Sequence, residues 1–215
     1  KSSPYVEWYL NSWSFDDSAV TRFHNDHFAG RTYESFATEF RERSSGADVG
    51  HWAELLRMAG AQYVVPVTKH HDGFLMWHSG VPNPHSDHWM TDRDVIGELE
   101  AAVRAEGMRF GLYYSGGLDW TFQPPPIKDI AGLFANIPPQ PDYHEYATAH
   151  YHELIDRFLP DVQVTISGDD AHAVKLARLL LEAADHQHIA EGGQLLFACQ
   201  FSYRRRCRVI LPGRH

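Results

Sequence analysis

The sequence predicts an α/β fold of parallel strands with helices packed between them. Three observations carry this. Two apolar, β-rich runs, Tyr63–Thr68 and Met108–Tyr114, and a third at Val162–Ile166 have the length and residue types of buried strands. Stretches with apolar residues at helical spacing separate them. The first two strands also run straight into segments rich in histidine, glycine, aspartate and tryptophan. Strand and helix in alternation means βα units, whose active sites are built by the loops after strand C-termini.

Taken in order, Glu7–Trp13 is aromatic and ends in polar residues, and Asp16-Asp17-Ser18 reads as a turn. Tyr33, Phe36 and Phe40 recur at helical spacing within Thr32–Arg43. Trp52, Leu55, Leu56 and Ala59 repeat that period as the predicted buried face of a second helix, which Gly60 stops. The strand Tyr63–Thr68 feeds Lys69-His70-His71-Asp72-Gly73-Phe74. Beyond a loop containing proline and histidine, Asp92 or Asp94 caps a helix burying Val95, Ile96, Leu99, Ala102 and Val103, with Gly107 as its C-terminal signal. The second strand runs into Ser115-Gly116-Gly117-Leu118-Asp119-Trp120, and residues 123–142 read as a proline-rich loop. A helix with apolar positions Tyr143, Ala147, Tyr151, Leu154, Ile155 and Phe158 ends at Pro160, and the third strand follows. Ala171–Ala184 and Gln194–Phe201 read as one more helix and one more strand.

The 215 residues, 43% hydrophobic and 22% charged, suffice for one domain with a core of its own. The net charge of −9 argues against nucleic acid or an anionic membrane as partner. Arg204-Arg205-Arg206 is too short a basic run to track phosphates, and no apolar run approaches the roughly 20 residues of a membrane helix. Lys1-Ser2-Ser3-Pro4 lacks the shape of a signal peptide, and two cysteines, Cys199 and Cys207, make no disulfide framework. Together these favour a reducing compartment such as the bacterial cytoplasm, with a single disulfide left open.

Adjacent histidines at a strand end are the strongest local signal. Successive residues of a strict strand face opposite sides, so His70 and His71 require at least one to leave the pleat and enter the loop. The rival reading is a metal site using His78, His85 and His88, although no paired cysteines and no His-Glu-x-x-His helix accompany them. Ser115-Gly116-Gly117 lacks the remainder of a phosphate loop, and no Gly-x-Ser-x-Gly elbow occurs. Aromatic rings, imidazoles and carboxylates at one rim suit a neutral sugar: ring faces stack on its apolar side and polar groups bind its hydroxyls.

Several blocks resemble glycoside hydrolase family 29, the α-L-fucosidases, and look nearest to its bacterial members. They are Glu7-Trp8-Tyr9, Ala59-Gly60-Ala61-Gln62-Tyr63, Lys69-His70-His71-Asp72-Gly73-Phe74, Asp94-Val95, Phe110-Gly111-Leu112-Tyr113-Tyr114-Ser115, Gly116-Gly117-Leu118-Asp119-Trp120 and Glu153-Leu154-Ile155-Asp156-Arg157. They lie within residues 5–162. The resemblance implies a (β/α)₈ barrel and retaining release of terminal α-L-fucose from fucosylated oligosaccharides or glycoconjugates, with no cofactor and no metal. It also implies that Glu7 and Trp8 contact fucose, that His70 and His71 bind its hydroxyls, that Tyr113 (or Tyr114, one step along) lies near the reacting centre, and that Trp120 lines the rim.

The chain also departs from that pattern. Family members carry a sugar-binding histidine on a strand upstream of Glu-Trp-Tyr, which this sequence does not contain. They place the nucleophilic aspartate in a Leu-Trp-Asn-Asp-like strand, where this chain has Val162-Gln163-Val164-Thr165-Ile166. Asp169 or Asp170 would serve only if that strand ran further by about 10 Å. Neither Glu182 nor Glu191 is singled out as the acid/base. A closed eight-stranded barrel takes about 250 residues, so the expectation is a partial barrel over residues 1–162 and a divergent αβ tail over 163–215 within the same domain. Exposed edges then favour self-association into a homo-oligomer. Two alternatives stay open: a catalytically impaired fucose-binding fragment, and a metal-dependent hydrolase.

Overall fold

The computed structural model describes residues 8–139 and 141–166, with residues 162–166 described as backbone. The elements are α1 (Tyr9–Trp13), α2 (Ala19–Phe28), α3 (Tyr33–Ser44), α4 (Val49–Met58), β1 (Tyr63–Val64), β2 (Val67–Lys69), α5 (Val95–Ala105), β3 (Arg109–Ser115), α6 (Ile130–Ala135), α7 (Asp142–Phe158) and β4 (Val162–Ile166).

β3 is the centre of a parallel sheet, pairing with β1 and β2 on one side and with β4 on the other. Its Phe110, Leu112 and Tyr114, which share one face, are buried completely. The predicted strand Tyr63–Thr68 is in fact two short ones interrupted at Pro66. Proline has no N–H to give to the ladder, and its carbonyl instead accepts from Tyr113 N at 2.9 Å. Nor is this strand fully buried, because Tyr63 and Val67 are exposed. β4 pairs one-to-one with β3, from Gly111 opposite Val162 to Ser115 opposite Ile166. Lys69 lies opposite Tyr114. The ends of β2 and β3 are therefore level, and the chain leaves both strands at one rim.

Side-chain caps set most helix starts. Ser18, Thr32, Asp48, Asp94 and Asp129 each accept from a backbone N–H of the first turn. Asp94, rather than Asp92, is the cap of α5. α6 lies inside the stretch expected to be loop, and α2 was not expected. For α4 the period was right and the face wrong. The buried stripe is Val49 and Ala53, while Trp52, Leu55, Leu56 and Met58 face outward. The small residues let α4 lie close to α5, its main helical contact.

Between sheet and helices lies one main core of Val49, Ala53, Leu75, Trp77, the buried face of α5, β3, and Tyr143, Ala147, Tyr151, Leu154, Ile155 and Phe158 from α7. The Glu153 and Arg157 of the recognised helical block act structurally. Glu153 accepts from Trp77 Nε1 at 3.1 Å, Ser79 Oγ at 2.5 Å and Gly80 N at 2.7 Å. Arg157 pairs with Asp94 and donates to His78 O. Among the described residues no helix is long and apolar enough to cross a membrane. The expected helix 171–184 and strand 194–201 lie outside the described residues.

Candidate active site

The loops after β2 and β3, together with Tyr113 of β3 and Trp8 at the start of α1, bring five of the expected site residues into one continuous cluster of rings. Trp8, His71 and Trp120 form a triangle, with centroid separations of 5.2 Å (Trp8–His71), 5.7 Å (Trp8–Trp120) and 5.6 Å (His71–Trp120). His70 lies 3.9 Å from His71, and Tyr113 stacks on His70 at 5.9 Å. These are the spacings of edge-to-face and offset ring contacts. β2 ends at Lys69, so both histidines have left the pleat, which is how neighbours in sequence come to share one side.

Two anchors bring Trp8 to this rim. α1 has only five residues and no side-chain cap. Buried Asn11 ties it to the loop after β3, donating to Ile127 O at 3.3 Å and accepting from Ile127 N at 2.6 Å. Sequence reading missed Asn11, because one asparagine in a short aromatic segment carries no signal of its distant partner.

His71 is held by Ser115, the last residue of β3. Ser115 Oγ donates to Leu118 O at 3.2 Å and lies 2.7 Å from His71 Nδ1. A hydroxyl has one proton, so with that proton on Leu118 O it accepts from His71 Nδ1–H, and Nε2 is left with its lone pair as an acceptor. Burial, and then the neighbouring His70 and Lys69, push the His71 pKa down to about 3, so the ring is neutral at ordinary pH. Trp120 N donates to His71 O at 2.7 Å, a direct tie between the two loops. The Trp120 indole N–H is buried without a hydrogen-bond partner among the described residues.

The choice between Tyr113 and Tyr114 is decided by the pleat. Tyr114 is completely buried, with its hydroxyl 3.0 Å from His150 Nδ1 in the core. Tyr113 is half-buried beside His70. Asp72, next to the histidines, is a brace rather than a free carboxylate. It accepts from Tyr33 Oη at 3.0 Å and Phe74 N at 3.1 Å, and burial raises its pKa. A separate hollow of about 360 Å³ between α3 and the loop after β2 has His70 in its wall, but not His71, Trp8 or Trp120.

The rival histidine cluster is not assembled. His78, His85 and His88 are exposed. His85 packs its edge on Phe122, His88 pairs with Asp92 at 2.6 Å, and His78 bonds the Asp92 carbonyl. Among the described residues no three His, Cys, Asp or Glu side chains converge as a ligand set. Glu7, Asp169 and Asp170 lie outside the described residues, as do Glu182 and Glu191. The described end of β4 carries no acidic residue.

Comparison with known proteins gives a consistent answer. Residues 1–175 match the family model described as alpha-L-fucosidase. The tissue alpha-L-fucosidase of Mus musculus is 36% identical over 163 residues, covering 73% of this chain and 34% of that protein. An alpha-L-fucosidase of Dictyostelium discoideum is 37% identical over 116 residues, covering 52% of this chain and 25% of that protein. Among solved structures, Thermotoga maritima alpha-fucosidase in complex with fucose superposes with a TM-score of 0.79 at 36% identity, covering 90% of this chain and 45% of that one. The chain thus spans about a third of the curated mouse relative and under half of the solved structure. With most of its length matched and its motif residues gathered at one rim of a parallel sheet, the chain belongs to the α-L-fucosidase family.

Proposed function

We propose that the chain forms part of a (β/α)₈ barrel and recognises terminal α-L-fucose of a fucosylated oligosaccharide or glycoconjugate at the ring cluster of Trp8, His70, His71, Tyr113 and Trp120. The observation that carries this is the pairing of a neutral, Nδ1-anchored His71 with the indole N–H of Trp120, which has no hydrogen-bond partner among the described residues. An imidazole lone pair and an indole donor at one rim take hydroxyl groups in both senses, and the surrounding rings offer an apolar face to the C5–C6 side of a deoxy-sugar. Glu7, preceding Trp8, contributes a further contact to the sugar.

The reaction is retaining release of fucose: a carboxylate attacks the anomeric carbon, a carboxylic acid protonates the departing oxygen, and water then resolves the glycosyl-enzyme. Asp169 and Asp170 are the nucleophile candidates; the acid/base is unassigned. A second reading, a fucose-binding chain without turnover, is favoured by the absence of a carboxylate from the described residues of β4, Val162–Ile166.

Calorimetric titration with L-fucose, run beside release of 4-nitrophenol from its α-L-fucoside, tests both. Binding that weakens in His71→Ala supports the site; no binding at all removes it. Turnover abolished by Asp169→Asn or Asp170→Asn supports the retaining enzyme. Binding without turnover selects the second reading. Turnover that a chelator abolishes would restore a metal-dependent hydrolase.

A further inference from the structure

The rim holds an ion pair that sugar binding does not call for. Lys69, the last residue of β2, and Asp119, four residues past the end of β3, are completely buried, with Nζ 2.8 Å from Oδ2. The ammonium also lies 3.4 Å from Tyr143 Oη and sits over the Tyr114 ring at 4.7 Å. The other carboxylate oxygen accepts from Thr121 N at 3.0 Å and Thr121 Oγ1 at 2.6 Å. With both oxygens engaged inside the protein, Asp119 is not a free nucleophile despite its place at the rim.

A dry ion pair is a poor source of stability. Removing two charges from water costs several kcal/mol per ion, and well-packed apolar residues in their place are often neutral or stabilising. Its position suggests what it does instead. Lys69 is joined in the chain to His70 and His71, and Asp119 to Trp120. Gly73, at φ +76°, carries the loop after β2 across Asp119 so closely that a Cβ there would lie 2.7 Å from Oδ1. The pair therefore joins the two loops at residues next in the chain to His70–His71 and Trp120.

We propose that Lys69 and Asp119 are positioning residues: their buried pair fixes the loops after β2 and β3 in one register, which sets the His71 and Trp120 rings at the separation the sugar needs. This rests on the fucose reading for the ligand, but the placement of the rings is a separate claim that is read without sugar. The Lys69 charge also helps hold His71 neutral, so losing it changes the imidazole as well as its position.

The test is Lys69→Met, Asp119→Asn and the double variant in the full chain. Each single change strands a buried charge and lowers the Tm. The double change removes both charges while keeping the Asp119 shape and its bond from Thr121, and returns the Tm to within a few degrees of the parent. Histidine ring NMR titration without ligand is expected to show the His71 pKa raised from about 3 and the Trp120 indole signal shifted in the double variant. Fucose affinity is expected to stay at least about tenfold weaker despite the recovered Tm. If the double variant regains stability with His71 and Trp120 signals like the parent's, the pair is only structural and the proposal is overturned. Should the double variant not fold, Asp119→Asn is read by the His71 and Trp120 ring shifts alone, without the pKa rise, because the Lys69 charge remains; unmoved shifts then overturn the proposal. If the parent binds no fucose yet the ring signals move as stated, the fucose reading fails and the positioning role stands.

Discussion

His71 Nδ1 lies 2.7 Å from Ser115 Oγ, a bond between residues 44 apart in sequence that joins the loop after β2 to the end of β3. It sets which nitrogen of His71 is bare, and hence whether the imidazole would accept or donate at the proposed sugar site. Removing the hydroxyl in Ser115→Ala leaves a buried Nδ1–H unpaired, at about 1–3 kcal/mol. Fucose affinity is expected to fall by roughly tenfold or more, with a Tm loss of a few degrees, read by calorimetry and thermal melts. Unchanged affinity would mean that His71 does not face the ligand.

Trp120→Phe separates the indole donor from the ring. The N–H has no partner among the described residues, so its loss breaks no internal bond while most of the ring packing against Trp8 and His71 is kept. The expectation is a small change in Tm with fucose binding weakened by about 1 kcal/mol, the size of one neutral hydrogen bond. Full retention of affinity would take Trp120 out of the polar contacts.

Stability should fall as the solution is acidified. Burial holds His71 at about 3 and His150 at about 4, both below the ordinary histidine value. His150 is fixed between Tyr114 Oη and Val81 O, as His71 is by Ser115. A histidine depressed in the folded state binds fewer protons than in the unfolded chain, so its contribution is fully present above about 6.5 and is lost between there and the folded value. The slope approaches about 1.4 kcal/mol per pH unit for each ring. Asp72, raised by burial, works the other way over the carboxylate range. Urea melts at pH 7 and pH 5 measure the difference; equal midpoints would contradict it.

Apolar surface points to association between copies. Met58 is 82% exposed and Tyr63 56% exposed, beside outward-facing Trp52 and Leu55, and β1 and β2 pair only with β3 among the described residues. An open edge flanked by apolar side chains is a site for further pairing. Light scattering at micromolar concentration is expected to show more than one chain per particle. Met58→Glu with Tyr63→Lys should shift the mass toward monomer, and a monomeric parent would refute the idea.

The parallel βα order, the central strand and the helix Asp142–Phe158 were legible because each has a local cause: β-branched or aromatic apolar runs, a 3.6-residue period and a terminating proline. Legibility stopped where the deciding partner is remote. α4 shows the right period, but only packing on α5 chooses Val49 and Ala53 as its buried face over the larger Trp52 and Leu55. Lys69 and Asp119 look like two solvated charges in a sequence, and only folding places them against each other without water.

By itself the sequence determined the family, the alternation of strand and helix, and the residue types available at the rim, since motifs and periodicity are properties of neighbours along the chain. Tertiary structure decided how those types are used: that Tyr113 lies beside His70 while Tyr114 is in the core, that His71 is neutral and anchored, and that Asp72 and Asp119 are braces. Each of these depends on burial and on hydrogen bonds between segments far apart in sequence, and no local pattern encodes them.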